Sequence, residues 1–482
     1  MREIIEDIKR LFESSIGLPL TSIEKIPQSG SDRSYFRIHA EERSFIATRG
    51  ENIRENLSFI YFTRHFRSLG CPLPEVICVN EANTLYIQQD LGNISLLNKF
   101  EQLGHTEEVY RLYQQSLRQL AFLQINGDQG LDYSQCITSK EFGKQAIMSD
   151  LLYFKYYFLD TLQLPYDKEV LLENFETLAG YLARADHKYF MFRDFQSRNI
   201  MINDGRVYFI DYQGGMKGAL QYDAASLLWQ AKAELPEQWK TSLLTYYMDC
   251  VEERLGGPID RSRFTSQYDG YVLIRLVQVL GAYGFRGLFE KKAHFLTSIP
   301  LALNNLKSFL NNQHDKTVSG ELERILNLIT EENIISRFTP IQATAQTPLK
   351  VKIKSFSFKK GMPYDESGNG GGYVFDCRGI LNPGRFESYK ALTGRDKPVQ
   401  DFLEQQTKMP GFLNSVYALV DISVEDYIKR NFESLQVSFG CTGGQHRSVY
   451  AADCLARYLR NKFKVQVEVA HIEQDAKQWI NT

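Results

Sequence analysis

Phe190-Met-Phe-Arg-Asp-Phe-Gln-Ser-Arg-Asn-Ile-Met-Ile202, followed after a short turn by Val207-Tyr-Phe-Ile-Asp211, decides how this chain is read. Asp194 stands five residues before Asn199, which opens an apolar strand. Asn203 to Arg206 make a turn, and a second apolar strand ends in Asp211. Phosphoryl transfer needs a carboxylate at the attacking hydroxyl and two oxygen ligands for a divalent cation. In that reading Asp194 accepts or orients the hydroxyl proton, while Asn199 and Asp211 hold Mg²⁺ between nucleotide phosphates. Taken singly, each carboxylate is equally well a solvated loop charge, and only the spacing on adjacent strands lifts the set above that.

Upstream, Ser34 to His39 and Ser44 to Thr48 read as a β-hairpin, and Glu75 to Val79 with Thr84 to Gln88 as a second one. Between them, Leu57, Ile60, Tyr61, Phe62 and Phe66 form a helical stripe that Gly70 ends. From Leu96 to Ile329 the pattern is mostly helical, with long amphipathic segments at 107–124, 166–184, 238–253 and 268–284. Thr339 to Pro348 is small, polar and uncharged, and reads as a linker.

At 482 residues the chain is long enough for two to four domains. The 56 Lys and Arg nearly cancel 58 Asp and Glu, which excludes a basic nucleic-acid footprint over the whole molecule. Arg2, Glu3 and Glu6 leave no apolar signal-peptide core, and Arg275 and Arg286 interrupt the longest apolar stretch. No membrane partner is expected. The seven cysteines are scattered, odd in number and without a C-x-x-C pair. That pattern predicts neither a disulfide framework nor a zinc site, and a reducing, cytoplasmic setting.

The catalytic stretch resembles the protein-kinase set H-R-D-x-x-x-x-N plus metal-binding Asp. Phe192 replaces the His, and Asp211-Tyr-Gln stands where Asp-Phe-Gly would be, which points to aminoglycoside phosphotransferases and choline kinases. Within that group, Phe209 to Gly215 with Tyr222 to Leu228 resembles the anomeric N-acetylmuramate/N-acetylglucosamine kinases. The resemblance implies an α+β two-lobed, protein-kinase-like domain using ATP and Mg²⁺. Residues 1–92 would be a strand-rich nucleotide lobe and 93–332 a mostly helical catalytic lobe. It implies a phosphate loop at Gln28 to Ser34, with Ser29, Gly30 and Ser31 offering backbone donors. The family's strand lysine should fall between Ile46 and Gly50. Arg49 is the only cation there, open to reading as a phosphate contact or as a solvated strand end, with Glu55 a weaker partner. Gln88 to Gly92 would be the adenine hinge, placing Gln89 and Asp90 at the nucleotide. Asp223 reads as the N-cap of a helix from Ala224 to Trp229; in the resembled families an aspartate here also braces the catalytic loop.

A second constellation follows the linker (333–349). The apolar strand Leu435 to Phe439 runs into Gly440-Cys-Thr-Gly-Gly-Gln-His-Arg-Ser448, then a helix over 449–462 and a strand over 465–469. Such a βαβ unit aims free N–H groups and a helix dipole at one point. Cys441, Thr442, Gly443, Gly444, Gln445, His446, Arg447 and Ser448 form the predicted anion site. Cys441 and Arg447 have the C-x5-R spacing of cysteine-dependent phosphatases, without the usual preceding His. Together with Phe356 to Pro363, Tyr373 to Arg378, Leu381-Asn-Pro383, Leu392-Thr-Gly394 and Pro398 to Leu403, this stretch resembles the C-terminal domain of the RapZ RNase adapters. The match spans 350–482 and implies a smaller α/β domain similar to a sensor of a phosphorylated amino sugar that also binds small RNA. Gly384 departs from the His that the adapters carry. The 19 Lys and Arg against 15 Asp and Glu over 350–482 are too small an excess to argue RNA.

The leading expectation is an ATP- and Mg²⁺-dependent kinase for the hydroxyl of a small amino sugar, with an appended sugar-phosphate sensor. Two others stand beside it: an RNA-binding adapter with a degenerate kinase fold, supported by the missing strand lysine, and an aminoglycoside-type antibiotic kinase.

Overall fold

The computed structural model describes residues 2–26, 33–290, 292–313, 319–368 and 372–477. The phosphate loop expected at Ser29, Gly30 and Ser31 lies outside the described residues. The chain forms two compact units, Met1–Ala282 with Leu301–Glu331, and Tyr283–Pro300 with Glu332–Thr482.

The first unit opens with a helix the sequence pattern did not announce, α1 (Arg2–Ile16), and a strand, β1 (Ser22–Ile26). Then come β2 (Ser34–Ala40), β3 (Arg43–Arg49), α2 (Ile53–Ser68), β4 (Val76–Val79) and β5 (Leu85–Gln89). The strands form one antiparallel sheet in the order β1-β2-β3-β5-β4. Strand side chains alternate between faces, and the two faces part cleanly. Phe36, Ile38, Phe45, Ala47, Leu85 and Ile87 join Ile8 and Phe12 of α1 in one apolar cluster. Tyr35, Arg37, Ile46, Tyr86 and Gln88 line a cleft on the other face.

The helical region comprises α3 (Leu96–Leu103), α4 (Glu107–Ile125), α5 (Lys144–Phe154) and α6 (Lys168–Leu182). Four short strands follow: β6 (Lys188–Met191), β7 (Ile200–Asn203), β8 (Arg206–Phe209) and β9 (Met216–Ala219). They pair antiparallel as β6 with β9 and β7 with β8. Next are α7 (Leu220–Leu228), α8 (Glu237–Leu255) and α9 (Arg261–Tyr283). The run Arg261–Phe289 is long and apolar enough to cross a bilayer, yet 56% of its most apolar window is buried within the protein. Shorter helices α10 (Ala293–Leu296), α11 (Ile299–Asn312), α12 (Gly320–Ile329) and α13 (Glu332–Phe338) succeed it.

An aromatic seam joins the sheet to the catalytic strands. Phe59 of α2 stacks on Tyr86 at 5.1 Å and on Tyr212 at 5.0 Å between ring centroids. Phe66 meets Phe190 edge-on at 4.6 Å. Each such pair adds about 0.5–1.5 kcal/mol beyond the area it buries.

In the second unit, β10 (Lys350–Ser357), β11 (Tyr373–Asp376), β12 (Ser434–Cys441) and β13 (Gln466–His471) form a parallel sheet ordered β11-β12-β10-β13. Around it lie α14 (Lys397–Gln406), α15 (Met409–Lys429), α16 (Arg447–Phe463) and α17 (Ile472–Lys477). Strand residues Val351, Ile353, Val437 and Phe439 are fully buried with Val420 of α15 and Leu455 and Leu459 of α16. β12 reaches through Gly440 and Cys441, and α16 starts at Arg447, so the loop between them is shorter than the sequence implies. The segment expected to be a linker lies along this unit, with Ala343 N–H donating to Phe463 O at 2.7 Å.

Phe66 is fully buried, so Phe66→Ala removes contacts the seam cannot close. Urea unfolding should show a loss of about 3–5 kcal/mol, the usual range for a buried Phe truncation.

Candidate functional site

The catalytic stretch folds as β6, a loop, a single 3₁₀ turn over Ser197–Asn199, and β7. Its backbone is forced. Arg193 and Asp211 both take positive φ, 80° and 71°, a conformation costing about 1–3 kcal/mol for such residues. What holds the first of them is Asp223, whose carboxylate accepts the N–H groups of Phe192 at 2.7 Å and Arg193 at 2.9 Å, and Gln124 Nε2 at 2.9 Å. Asp223 is not the N-cap expected from the sequence. α7 starts at Leu220, with Ala219 at the cap, so Asp223 lies inside the first turn and points at the catalytic loop.

The Arg193 side chain is anchored twice over. Its Nη2 donates to both carboxylate oxygens of Asp150, at 2.7 and 2.8 Å, and its guanidinium lies 4.5 Å from the Phe142 ring centroid. Asp194 is thereby presented with 47% of its side chain accessible. Arg275 of α9, itself buried, donates to Asp194 Oδ1 at 3.2 Å and to Gln278 at 2.9 Å. Desolvation raises the Asp194 pKa, but Arg275, Arg193 and Arg198 outweigh it and hold the carboxyl below its ordinary value. The group therefore stays ionised and ready to accept a proton from a hydroxyl.

The predicted metal-holding residues come together. Asn199 Nδ2 donates to Asp194 O at 2.9 Å and to Asp211 Oδ2 at 3.3 Å. Gln213 Nε2 donates to Asp211 Oδ1 at 2.9 Å and to Glu55 Oε1 at 3.4 Å. Asn199 and Asp211 face a cleft of about 370 Å³ between the sheet and the catalytic strands. One carboxylate and one carboxamide suit a small hard cation that takes its other oxygens from water and substrate phosphates. Among the described residues no cluster of three or more His, Cys, Asp or Glu offers a complete protein cage for a metal.

Gln89 and Asp90 line the same cleft. The Asp90 carboxylate itself is taken up by the fold, which leaves the expected hinge role to the backbone of this segment. It takes Arg37 Nε at 2.6 Å and Gly92 N–H at 2.9 Å, tying the end of β5 to β2. Burial works to raise its pKa, yet Arg37 and those hydrogen bonds hold it below the ordinary value. Arg49 is a clear correction. Strand alternation puts it on the α1 side of the sheet, where it pairs with Glu51 at 3.0 Å and Asp7 at 3.9 Å. Two arginines line the cleft instead: Arg37, which is committed to Asp90, and Arg33, just before β2, 3.1 Å from Glu55. Arg33 falls within the phosphate loop expected at Gln28 to Ser34, where the sequence analysis gave its side chain no role. Arg275 was missed as well, being 81 residues from its partner in the chain.

In the second unit, Gly444 takes φ 64° at the turn between β12 and α16, which suits glycine because it has no Cβ. The Cys441 Sγ occupies the centre of this turn, accepting Gly444 N–H at 3.2 Å and hydrogen-bonding Ser448 Oγ at 3.2 Å. Burial pushes the thiol up, but Ser448, Arg447 and Gly444 outweigh it and place it below the ordinary value. The predicted convergence of side chains on an anion is only partly realised. Arg447 Nη1 donates to the carbonyls of Arg378 and Ile380, at 3.1 and 2.7 Å. Gln445 Nε2 donates to the carbonyls of Lys390 and Leu392. His446 Nε2 bonds Tyr389 O at 2.9 Å, and burial lowers its pKa. These three side chains brace neighbouring segments, because each finds a backbone carbonyl closer than the loop's mouth. Thr442 and Gly443 remain exposed at that mouth, with Arg447 Nη2 3.5 Å from Thr442 Oγ1. Gly384 borders the loop, since a Cβ there would come 3.2 Å from His446 Cε1.

Residues 22–255 match the phosphotransferase enzyme family, and residues 349–475 match the RapZ C-terminal domain. The chain carries a region of each. A nucleotide-binding protein of Endomicrobium trichonymphae is 34% identical over 152 residues, 32% of this chain and 48% of its own length. Another, from Herminiimonas arsenicoxydans, is 42% identical over 114 residues, 24% of this chain and 38% of its own length. The chain thus spans about half or less of these curated relatives. Similar solved structures include the choline kinase LicA from Streptococcus pneumoniae, at 12% identity, 64% of this chain, 99% of that chain and a TM-score of 0.41. A choline/ethanolamine kinase family protein from Mesorhizobium loti is 14% identical, covering 68% of this chain and 99% of that one, with a TM-score of 0.44. The region matched to the phosphotransferase family is α+β, an antiparallel sheet followed by a mostly helical stretch, and the RapZ-like region is a parallel α/β sheet.

Burial in the phosphotransferase region pushes the Asp223 pKa up from 3.8 to about 7. The folded value exceeds the unfolded one, so the folded state binds the extra proton between these two pH values. This stabilising uptake is present at low pH and is progressively lost as pH rises from about 4 to about 7. Wild-type stability should therefore fall across that window relative to Asp223→Asn, as followed by urea unfolding at each pH. Parallel profiles for the two proteins would contradict an elevated Asp223.

Proposed function

We propose that this protein is an ATP- and Mg²⁺-dependent kinase that phosphorylates a hydroxyl of a small amino sugar, the anomeric hydroxyl of an N-acetylmuramate or N-acetylglucosamine type of substrate. The observation that carries the proposal is the half-exposed Asp194 carboxylate, held by Arg275 and set beside the Asn199–Asp211 pair at one cleft. A nucleotide's adenine would lie along Gln88 to Gly92, with Asn199 and Asp211 holding the cation. That cation would neutralise charge across the phosphates. Asp194 orients the acceptor hydroxyl for in-line attack and takes its proton as the oxygen–phosphorus bond forms and the bond from the γ-phosphorus to the departing ADP breaks.

The charge around Asp194 bears on the acceptor. Arg193, Arg198 and Arg275 are the cations that depress its pKa, whereas a polycationic aminoglycoside calls for a surplus of carboxylates. A neutral or anionic sugar fits that field better. The joint presence of Asp194, Asn199 and Asp211 speaks against a degenerate kinase that serves only as an RNA adapter.

For the RapZ-like region we infer a site for the phosphate of an amino sugar at the mouth formed by Thr442 and Gly443 and the start of α16. The helix N-terminus and the backbone N–H groups there favour an anion.

The experiment for the kinase is ADP release with a panel of sugars and aminoglycosides. Asp194→Asn should lower turnover by about 100-fold or more, as loss of a positioned base does, with Mg²⁺–ATP affinity unchanged by calorimetry. Near-normal turnover would remove Asp194 from the mechanism. For the second site, the full chain should bind glucosamine 6-phosphate more tightly than glucosamine. Thr442→Ala should weaken the phosphorylated sugar about 10-fold, the worth of one charge-assisted hydrogen bond. Equal affinity for sugar and sugar phosphate would overturn the sensing site.

A further inference from the structure

Resting on the phosphotransferase reading, we propose that Arg33, from the residue preceding β2, is the cation that grips the nucleotide phosphates, in place of any residue of β3. The cleft-facing positions of β3 are set by alternation. Ile46 lines the cleft, so Thr48 lies on the same face, and Arg49 on the other. Thr48 is fully buried opposite Tyr86 and carries no charge. The residue leading into β2 supplies one, whereas Arg37 within β2 also lines the cleft but is committed to Asp90 and Asn93. β2 and β3 pair with Ser34 opposite Arg49, so Arg33 lies across from the end of β3, one inter-strand spacing of about 4.8 Å away.

The long guanidinium side chain spans that offset. It runs past Gly50, where a Cβ would come 3.3 Å from Arg33 Cγ, and its charged end reaches Glu55 of α2 at 3.1 Å. Glu55 also receives Gln213 Nε2, which donates in turn to Asp211. One continuous chain of charge and hydrogen bonds therefore joins Arg33 to the metal-holding carboxylate. The guanidinium is 96% buried and lies 5.8 Å from the Phe59 ring centroid, so its position is set by packing before any nucleotide arrives. A planar fork of donors so fixed suits phosphate oxygens.

The test is calorimetry on the full chain with ATP, ADP and adenosine in the presence of Mg²⁺. Adenosine has no phosphate and reports the rest of the nucleotide site. Arg33→Ala should weaken ATP and ADP about 10- to 100-fold, the worth of a charge-assisted hydrogen bond, and leave adenosine unchanged. Arg33→Lys, which keeps the charge, should lie between that variant and wild type. Returning a cation to β3 in the double variant Arg33→Ala/Thr48→Lys should regain part of the ATP affinity. Equal losses for ATP and adenosine would mean that Arg33 only supports the fold, and unchanged ATP affinity in Arg33→Ala would overturn the assignment outright. Failure of the wild type to bind either ATP or adenosine would instead overturn the phosphotransferase reading on which it rests.

Discussion

One buried carboxylate holds the catalytic loop in a backbone conformation it would not adopt alone. Asp223 accepts two consecutive backbone N–H groups, those of Phe192 and Arg193, at the point where Arg193 takes its positive φ. Two donors converging on one rigid side chain over-determine the turn, which is how strain of this kind persists. Everything downstream follows from that turn. It sends the Arg193 side chain back to Asp150, and it leaves Asp194 outside, half-accessible, facing Arg275. Were the loop released, the carboxylate and the Asn199–Asp211 pair would lose their common frame, because Asn199 is tied to the loop through Asp194 O and Gln196 O and bonds Asp211 as well.

Charge in the cleft is arranged in alternation. Arg33 meets Glu55, and Asp211 is separated from that pair by the amide of Gln213; on the far side Asp194 meets Arg275. Opposite charges at hydrogen-bonding distance offset the cost of burying each group, a cost that an isolated buried charge would bear alone. The aromatic seam of Phe59, Tyr86 and Tyr212 packs behind this array.

The RapZ-like region solves a different problem with similar means. Its loop between β12 and α16 draws its own sulfur into the ring of N–H donors, and the hydrogen bonds from Gly444 and Ser448 favour the thiolate. Arg447, by contrast, is committed largely to carbonyls of the segment after β11. With Arg447 so engaged, the turn departs from the arrangement a cysteine-dependent phosphatase needs, in which the arginine grips the substrate's oxygens.

The sequence by itself determined most of the elements around the cleft and the grouping of Asp194, Asn199 and Asp211. Alternation and helical spacing located β2, β3, α2, β5 and α4 to within a residue or two. The short loop from Asp194 to Asn199 and the hairpin to Asp211 make those three neighbours by chain connectivity alone, so their proximity was legible. Which face of a strand a charge occupies was not, because the period-two pattern fixes relative sides and only packing of α1 against one face decides which side is the cleft. That packing, by Ile8 and Phe12, turns Arg49 away from the cleft and leaves Arg33 and Arg37 lining it. Likewise Asp223 lay one helical turn further in than its pattern implied, and Arg275 reached Asp194 from a distant helix. Interactions between residues remote in the chain carry no local signature; they exist only once the tertiary fold brings their elements together.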